Sequence, residues 1–169
     1  MARPRPWYRI KRWMYRGGRP GRLAAAVNRA YGWLFARRWA PVPLAATLEV
    51  RGRRTGEPVT LPVVVADVDG VEHLVSMLGE HAGWVRNVRA AHGRAVLLRG
   101  GRRQDVRLVE VPVGRRGPVL RRYLAVAPGA RPHVPVARDA PLADLERVAA
   151  DFPVFRVEPD APDAPDAPA

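Results

Sequence analysis

The sequence predicts a small α+β domain, an antiparallel β-barrel with helices on its flank. Three observations lead there. Five or six short stretches of alternating apolar and polar residues recur between residues 42 and 157, several joined by hairpin signals. A single helical segment interrupts them midway, and more helix follows near the end, a pattern of strands with segregated helices rather than a strict βα alternation. The 169 residues are enough for one domain with a core of its own and too few for two.

Residues 1–40 stand apart as an arm. They hold eleven of the 29 Lys and Arg residues and no Asp or Glu, so most of the formal charge of +13 sits there. Trp7, Ile10 and Met14 follow a helical spacing, with Arg9, Arg12 and Arg16 opposite, which predicts a short amphipathic helix. The run Gly17-Gly18-Arg19-Pro20-Gly21 ends it, and a second helix is expected over Arg22 to Arg38. That helix is too short and too polar in its apolar run to span a bilayer, and no secretory h-region is present. Aromatic and cationic residues without acids suit an anionic membrane surface, with two helices that cap the body and keep their arginines in water as the alternative; a non-catalytic basic module at a membrane or nucleic acid is the rival to an enzyme. Nucleic acid is not expected as a partner, because no reader motif accompanies the charge. The localisation expected is cytoplasmic, with the arm at the inner face of the membrane.

The barrel is expected over residues 41–158. Its strands are Val42–Val50, Val59–Val65, Val71–Met77, Ala95–Arg99, Asp105–Val111 and Phe152–Val157, with Asp69-Gly70 and Gly100-Gly101 as hairpin turns. Helices are expected over Ala82–Ala91, Arg115–Val126 and Leu142–Ala150. From residue 159 the chain repeats Asp-Ala-Pro to Ala169, a composition that buries nothing and predicts an extended tail.

The residues with chemical promise gather in the first hairpin, Arg51-Gly52-Arg53-Arg54-Thr55-Gly56-Glu57-Pro58. Two glycines that can take positive φ, three arginines and a threonine make a tight turn suited to a phosphate or carboxylate. A solvated loop is the plain alternative. The chain has no cysteine, its four histidines lack ligand spacing, and Ser76 is its only serine. Disulfides, thiolate chemistry, a metal site and a serine triad are therefore not expected. Tyr123 and His133 are the candidates for proton donation, with structural roles as the alternative, and no catalytic side chain can be named.

Two segments in this order resemble the deazaflavin-dependent nitroreductase and quinone reductase family. One is Gly52-Arg53-Arg54-Thr55-Gly56-Glu57-Pro58 followed by Leu61-Pro62, and the other is Ser76-Met77-Leu78-Gly79 followed by Trp84-Val85-Arg86-Asn87-Val88-Arg89-Ala90. The resemblance covers roughly residues 40–112 and implies a split β-barrel of the flavin-reductase and pyridoxamine-oxidase type. It implies coenzyme F420, with FMN as the alternative, and hydride transfer to a quinone, a nitro compound or an activated alkene. A small-molecule acceptor and a homodimer are the partners it allows. Arg53, Arg54, Thr55 and Gly56 would hold the coenzyme's anionic half. Leu61, Pro62, Val63 and the bend Ser76, Met77, Leu78, Gly79 would line its ring, with Trp84 and Asn87 closing the site. For Trp84, core packing is the alternative. Val59 and Leu78 stand where relatives carry basic residues, and Ala82-Gly83 replaces a proline-containing turn, which points to altered anchoring or a different cofactor.

Overall fold

A computed structural model describes residues 44–160. The two arm helices and the Asp-Ala-Pro repeats from residue 161 lie outside the described residues. Six strands close into one antiparallel barrel: β1 (Ala45–Arg51), β2 (Pro58–Val68), β3 (Val71–Val75), β4 (Arg94–Arg99), β5 (Arg102–Glu110) and β6 (Val154–Pro159), in the order β1-β2-β3-β6-β5-β4. Helix α1 (Gly83–Ala90) lies between β3 and β4. Helices α2 (Arg116–Val126) and α3 (Leu142–Val148) precede β6, and 3-10 turns cover Val113–Arg115 and Ala149–Asp151.

Several boundaries shift from the sequence expectation for local reasons. β3 stops at Val75 because Ser76 turns its N–H to Pro153 O at 2.9 Å and opens a bend. β6 runs to Pro159, paired with Val106, so that proline closes a strand rather than opening the tail. The stretch Leu142–Ala150 divides, with a helix to Val148 and a 3-10 turn beyond it. Both expected hairpin turns form, with φ of 54° and 79° at Asp69 and Gly70 and of 56° and 80° at Gly100 and Gly101. Positive φ at both central residues suits the right-handed twist of the flanking strands.

Alternation sorts the strands onto two cores. Inside the barrel, Ala46, Leu48, Val50, Val65, Leu74, Leu97, Val106, Leu108 and Phe155 pack together, and Ala82, Val85 and Val88 enter from the α1 segment. This helix fills the end where β1 turns into β2. Outside, Ala66, Val75 and Val154 pack beneath Val119, Leu120, Tyr123 and Leu124 of α2 and Leu145 of α3. At the opposite end Arg99 meets Glu72 through two bonds of 2.7 and 2.9 Å. A groove of about 370 Å³ opens there between Gly70–Glu72 and Arg156–Pro159.

β2 explains two prolines that a strand would ordinarily refuse. Val65 donates its N–H to Leu44 O at 2.8 Å, so the odd-numbered residues of β2 face β1 and the even-numbered ones face β3. Pairing with β3 begins only at Val65, which leaves the other edge of residues 58–64 open among the described residues. Pro58 and Pro62 both fall on that open edge, where a missing N–H breaks no ladder bond.

Arg116 is the buried charge of the fold. Its guanidinium donates to Val111 O at 2.8 Å, Ala149 O at 3.3 Å, Phe152 O at 3.4 Å and a Glu110 carboxylate oxygen at 3.0 Å. It thereby ties the end of β5 to the turn before β6. Arg116→Met should lower the free energy of unfolding by about 2–4 kcal/mol, since it takes the guanidinium donor from Val111 O, Phe152 O and Glu110, while Ala149 O keeps the Phe152 N–H. Urea unfolding followed by tryptophan fluorescence measures this; a loss below about 0.5 kcal/mol would assign the arginine no structural weight.

Candidate functional site

The first hairpin loop holds its shape through its own short bonds. Gly52 N–H donates to Glu57 O at 2.8 Å, Gly56 N–H donates to Gly52 O at 2.8 Å, and Glu57 N–H reaches Thr55 Oγ1 at 3.3 Å. Only one of its two glycines is in the left-handed region, Gly56 at φ 73°. Gly52 serves closeness instead: a Cβ there would lie 3.1 Å from both Glu57 O and Thr55 Oγ1. The expectation that both glycines bend the turn through positive φ is corrected by this geometry. Thr55 is partly committed too, because its oxygen accepts a bond within the turn.

The two arginines differ. Arg53 donates from its backbone N–H to Asn87 Oδ1 at 3.4 Å and from Nη1 to the same oxygen at 3.0 Å. Asn87, on α1, is 7% exposed. Arg54 is exposed and makes no hydrogen bond or ion pair among the described residues. One guanidinium is therefore tied to the plug helix, and the other is left to solvent.

The remaining residues singled out in the sequence divide between the two cores. Leu61, Val63, Leu78 and Trp84 are half-buried against the inner core, and Trp84 meets Phe155 with ring centroids 5.4 Å apart at 58°. Pro62 is half-buried on the open edge of β2. Met77 packs against the outer core, on the side opposite Leu78. Ser76 is buried; its hydroxyl donates to Gly79 O at 2.9 Å while Gly79 N–H donates to Ser76 O at 3.1 Å, so the bend is self-locked. Tyr123, on α2, is buried in the outer core, where burial pushes its hydroxyl up to about 12. A hydroxyl so hard to ionise and so placed is poorly suited to donate a proton at this end of the barrel. His133 lies half-buried in the loop between α2 and α3. No group of three or more His, Cys, Asp or Glu residues is arranged to hold a metal among the described residues.

Sequence reasoning did not anticipate a chain of charges beside the bend. Arg89 of α1 donates to Glu80 at 2.6 Å and, through Nε and Nη2, to both oxygens of Glu110 at 2.9 and 2.7 Å. Glu110 also receives Arg116. The partners are nine and twenty-one residues from Arg89, and nothing local in an arginine-rich sequence marks this one out. The Arg89 bonds hold the Glu80 carboxyl below the usual range, and Glu110 followed by Glu80 raises Arg89 further above its ordinary value.

A closed six-stranded antiparallel barrel with a helix in one end and an arginine turn above it is a split β-barrel. Within that class, the model of the F420H(2)-dependent quinone reductase family matches residues 21–138, and the chain belongs to this family. It is accordingly an oxidoreductase with coenzyme F420 as its cofactor; of the two coenzymes the sequence left open, F420 is the one that the family takes. No curated protein matches the sequence. Among solved structures, one described as a domain-swapped dimer is 16% identical with a TM-score of 0.51, covering 80% of this chain and 96% of its own. Protein Atu2129 of unknown function from Agrobacterium tumefaciens str. C58 is 16% identical with a TM-score of 0.50, covering 83% of this chain and 55% of its own. An F420-H2 dependent reductase, FDR-A, is 22% identical with a TM-score of 0.43, covering 68% and 94%. At these identities the likeness is one of fold.

The Glu80–Arg89 bond has a pH signature. Glu80 has a folded pKa below its ordinary 4.5, so its stabilising contribution is complete above that value and is lost as pH falls through the folded pKa. Amide exchange at Gly79 and Ala82 should therefore accelerate below pH 4.5 in the native protein, and Glu80→Gln should remove that acceleration. Mass-resolved hydrogen exchange between pH 3 and pH 6, corrected for intrinsic rates, checks it (an interval of about one and a half units either side).

Proposed function

We propose that the chain reduces a quinone with F420H2, holding the coenzyme at the α1 end of the barrel. The single observation that carries this reading is Arg54, an exposed charge with no partner among the described residues, on a turn fixed in place beside the helix that plugs the barrel. The residues present fit such a coenzyme. F420 has an anionic chain of phosphodiester and glutamates, and a guanidinium offers it paired donors in a planar fork. Its ring is flat and largely apolar, and Leu61, Val63, Leu78 and Trp84 are half-exposed apolar side chains at the same end of the barrel.

Bound F420H2 supplies the hydride; the protein's part is binding, orientation and exclusion of water. Arg54 binds the anionic chain. Leu61, Pro62 and Val63 on one side and the Leu78–Gly79 bend on the other form an apolar wall that keeps water from the ring. On the open edge of β2, Thr60 and Val64 retain N–H groups that Pro58 and Pro62 lack, which offers the polar rim of a ring two donors in an otherwise donor-poor edge. The domain reading proposed is a barrel to about residue 160, preceded by a basic arm and followed by the Asp-Ala-Pro tail.

A quinone dissolved in lipid is met at the membrane, and the +11 arm over residues 1–40 is suited to bring the barrel there. This reading places the protein in the cytoplasm, at the inner membrane face, with a small-molecule acceptor. A homodimer is compatible with it, and light scattering at working concentration decides the assembly.

The test is oxidation of F420H2 by menadione, followed as recovered F420 fluorescence, with a nitroimidazole as second acceptor and reduced FMN in parallel. Turnover with F420H2 and menadione is the expected result; turnover only with reduced FMN, or none from folded protein, would overturn it. Arg54→Ala should weaken F420 binding by roughly 1.5–3 kcal/mol, the worth of one charge-assisted bond, while leaving unfolding by urea unchanged. Removing residues 1–20 should abolish sedimentation with anionic vesicles at low salt; equal sedimentation of both forms would separate the arm from the membrane.

A further inference from the structure

We infer that Asn87 is a positioning residue that acts through Arg53, fixing the arginine turn over the barrel end, with its carboxamide oxygen committed to that tie and not to the coenzyme's ring. The inference rests on the F420 reading above. Among the described residues, the bonds from Arg53 to Asn87 are the only hydrogen bonds by which residues 52–57 reach anything outside their own loop. Every other bond of the turn is internal. A hairpin loop held only by itself keeps its shape and still rocks on its two strands. The tie to α1 removes that freedom, because α1 is wedged into the inner core by Val85 and Val88.

The chemistry of the carboxamide points the same way. Its oxygen has two acceptor sites, and Arg53 fills both, one from Nη1 and one from the backbone N–H. An oxygen so used has no lone pair left to accept a hydrogen bond from a ring N–H. Asn87 is also buried, whereas Arg54 on the same turn is open to solvent. The two arginines thus divide the work: Arg53 orients the turn and Arg54 meets the anion. Arg89, two residues further along α1, ties the helix to Glu80 next to the Ser76–Gly79 bend. The same helix therefore fixes both walls of the site.

A double-mutant cycle on F420 affinity tests this, read by fluorescence titration of the full chain. Asn87→Ala should weaken binding about tenfold, and by clearly less in an Arg53→Ala background, where only the backbone bond from residue 53 is left to lose. An equal loss in both backgrounds, or no loss in either, overturns the inference. Hydrogen exchange of the coenzyme-free protein provides a second readout that does not depend on the coenzyme. Amides 54–57 should exchange faster in both Asn87→Ala and Arg53→Ala, and the amide of residue 53 faster in Asn87→Ala alone, because Arg53→Ala keeps the backbone bond to Asn87 Oδ1; the double variant should match Asn87→Ala. Asn87→Asp keeps an oxygen acceptor and should restore the protection. If the wild type binds no F420, the functional reading fails while the exchange pattern still decides the lock; protection unchanged by Asn87→Ala overturns it. Should Asn87→Ala lower the yield of folded protein, Arg53→Ala on its exposed loop carries the exchange test alone.

Discussion

A closed antiparallel barrel has two open ends, and here the structure depends on how one of them is filled. Ala82, Val85 and Val88 enter the inner core at the mouth where β1 turns into β2. Apolar burial of that kind is non-directional, so it fixes the helix in depth more firmly than in rotation. Directional bonds supply the rest: Asn87 to Arg53 on one side, Arg89 to Glu80 and Glu110 on the other. Dry contacts set where the helix sits, and charge-assisted contacts set which way its polar residues point. The proposed site is assembled from the segments those bonds reach.

Much of the fold was legible in the sequence because it is local. Asp69-Gly70 and Gly100-Gly101 name their turns, since only residues that tolerate positive φ fit a two-residue hairpin. Alternation within β1 and β5 separates their faces, and the six strands then have few ways to close. The helix was expected over Ala82–Ala91 from its spacing, but the spacing did not show that Val85 and Val88 are its fully buried apolar pair. A helix that plugs a barrel is apolar over more of its circumference than one lying on a sheet, so periodicity gives its existence and blurs its rotation.

The site was legible as a set of segments and not as an arrangement. The arginine turn and the Trp-x-x-Asn helix were both recognised, but the bond between them joins residues 34 apart. No periodicity reports such a contact. The roles of two look-alike arginines were equally hidden, because their difference lies in what stands opposite each of them. Gly52 is a further case. Composition suggests a glycine placed for its backbone freedom, while the structure shows one placed because Glu57 O and Thr55 Oγ1 leave too little room for a Cβ.

The prolines of β2 bring these threads to one point. A strand that pairs on one side only is ordinarily a hazard, because its free N–H and C=O groups invite another strand. In β2 the hazard lies on residues 58–64, where β3 has already turned away into the Ser76 bend. Pro58 and Pro62 remove half of the donors on that edge, so a foreign strand would find the ladder broken at two positions. A small polar ligand needs no continuous ladder, and two separated N–H groups are enough for it. An edge closed to β-pairing and open to a planar molecule with a few acceptors is what a barrel must expose to bind a coenzyme without polymerising. In that sense the same two prolines that look like defects in a strand suit an edge that is unpaired among the described residues, beside the proposed site.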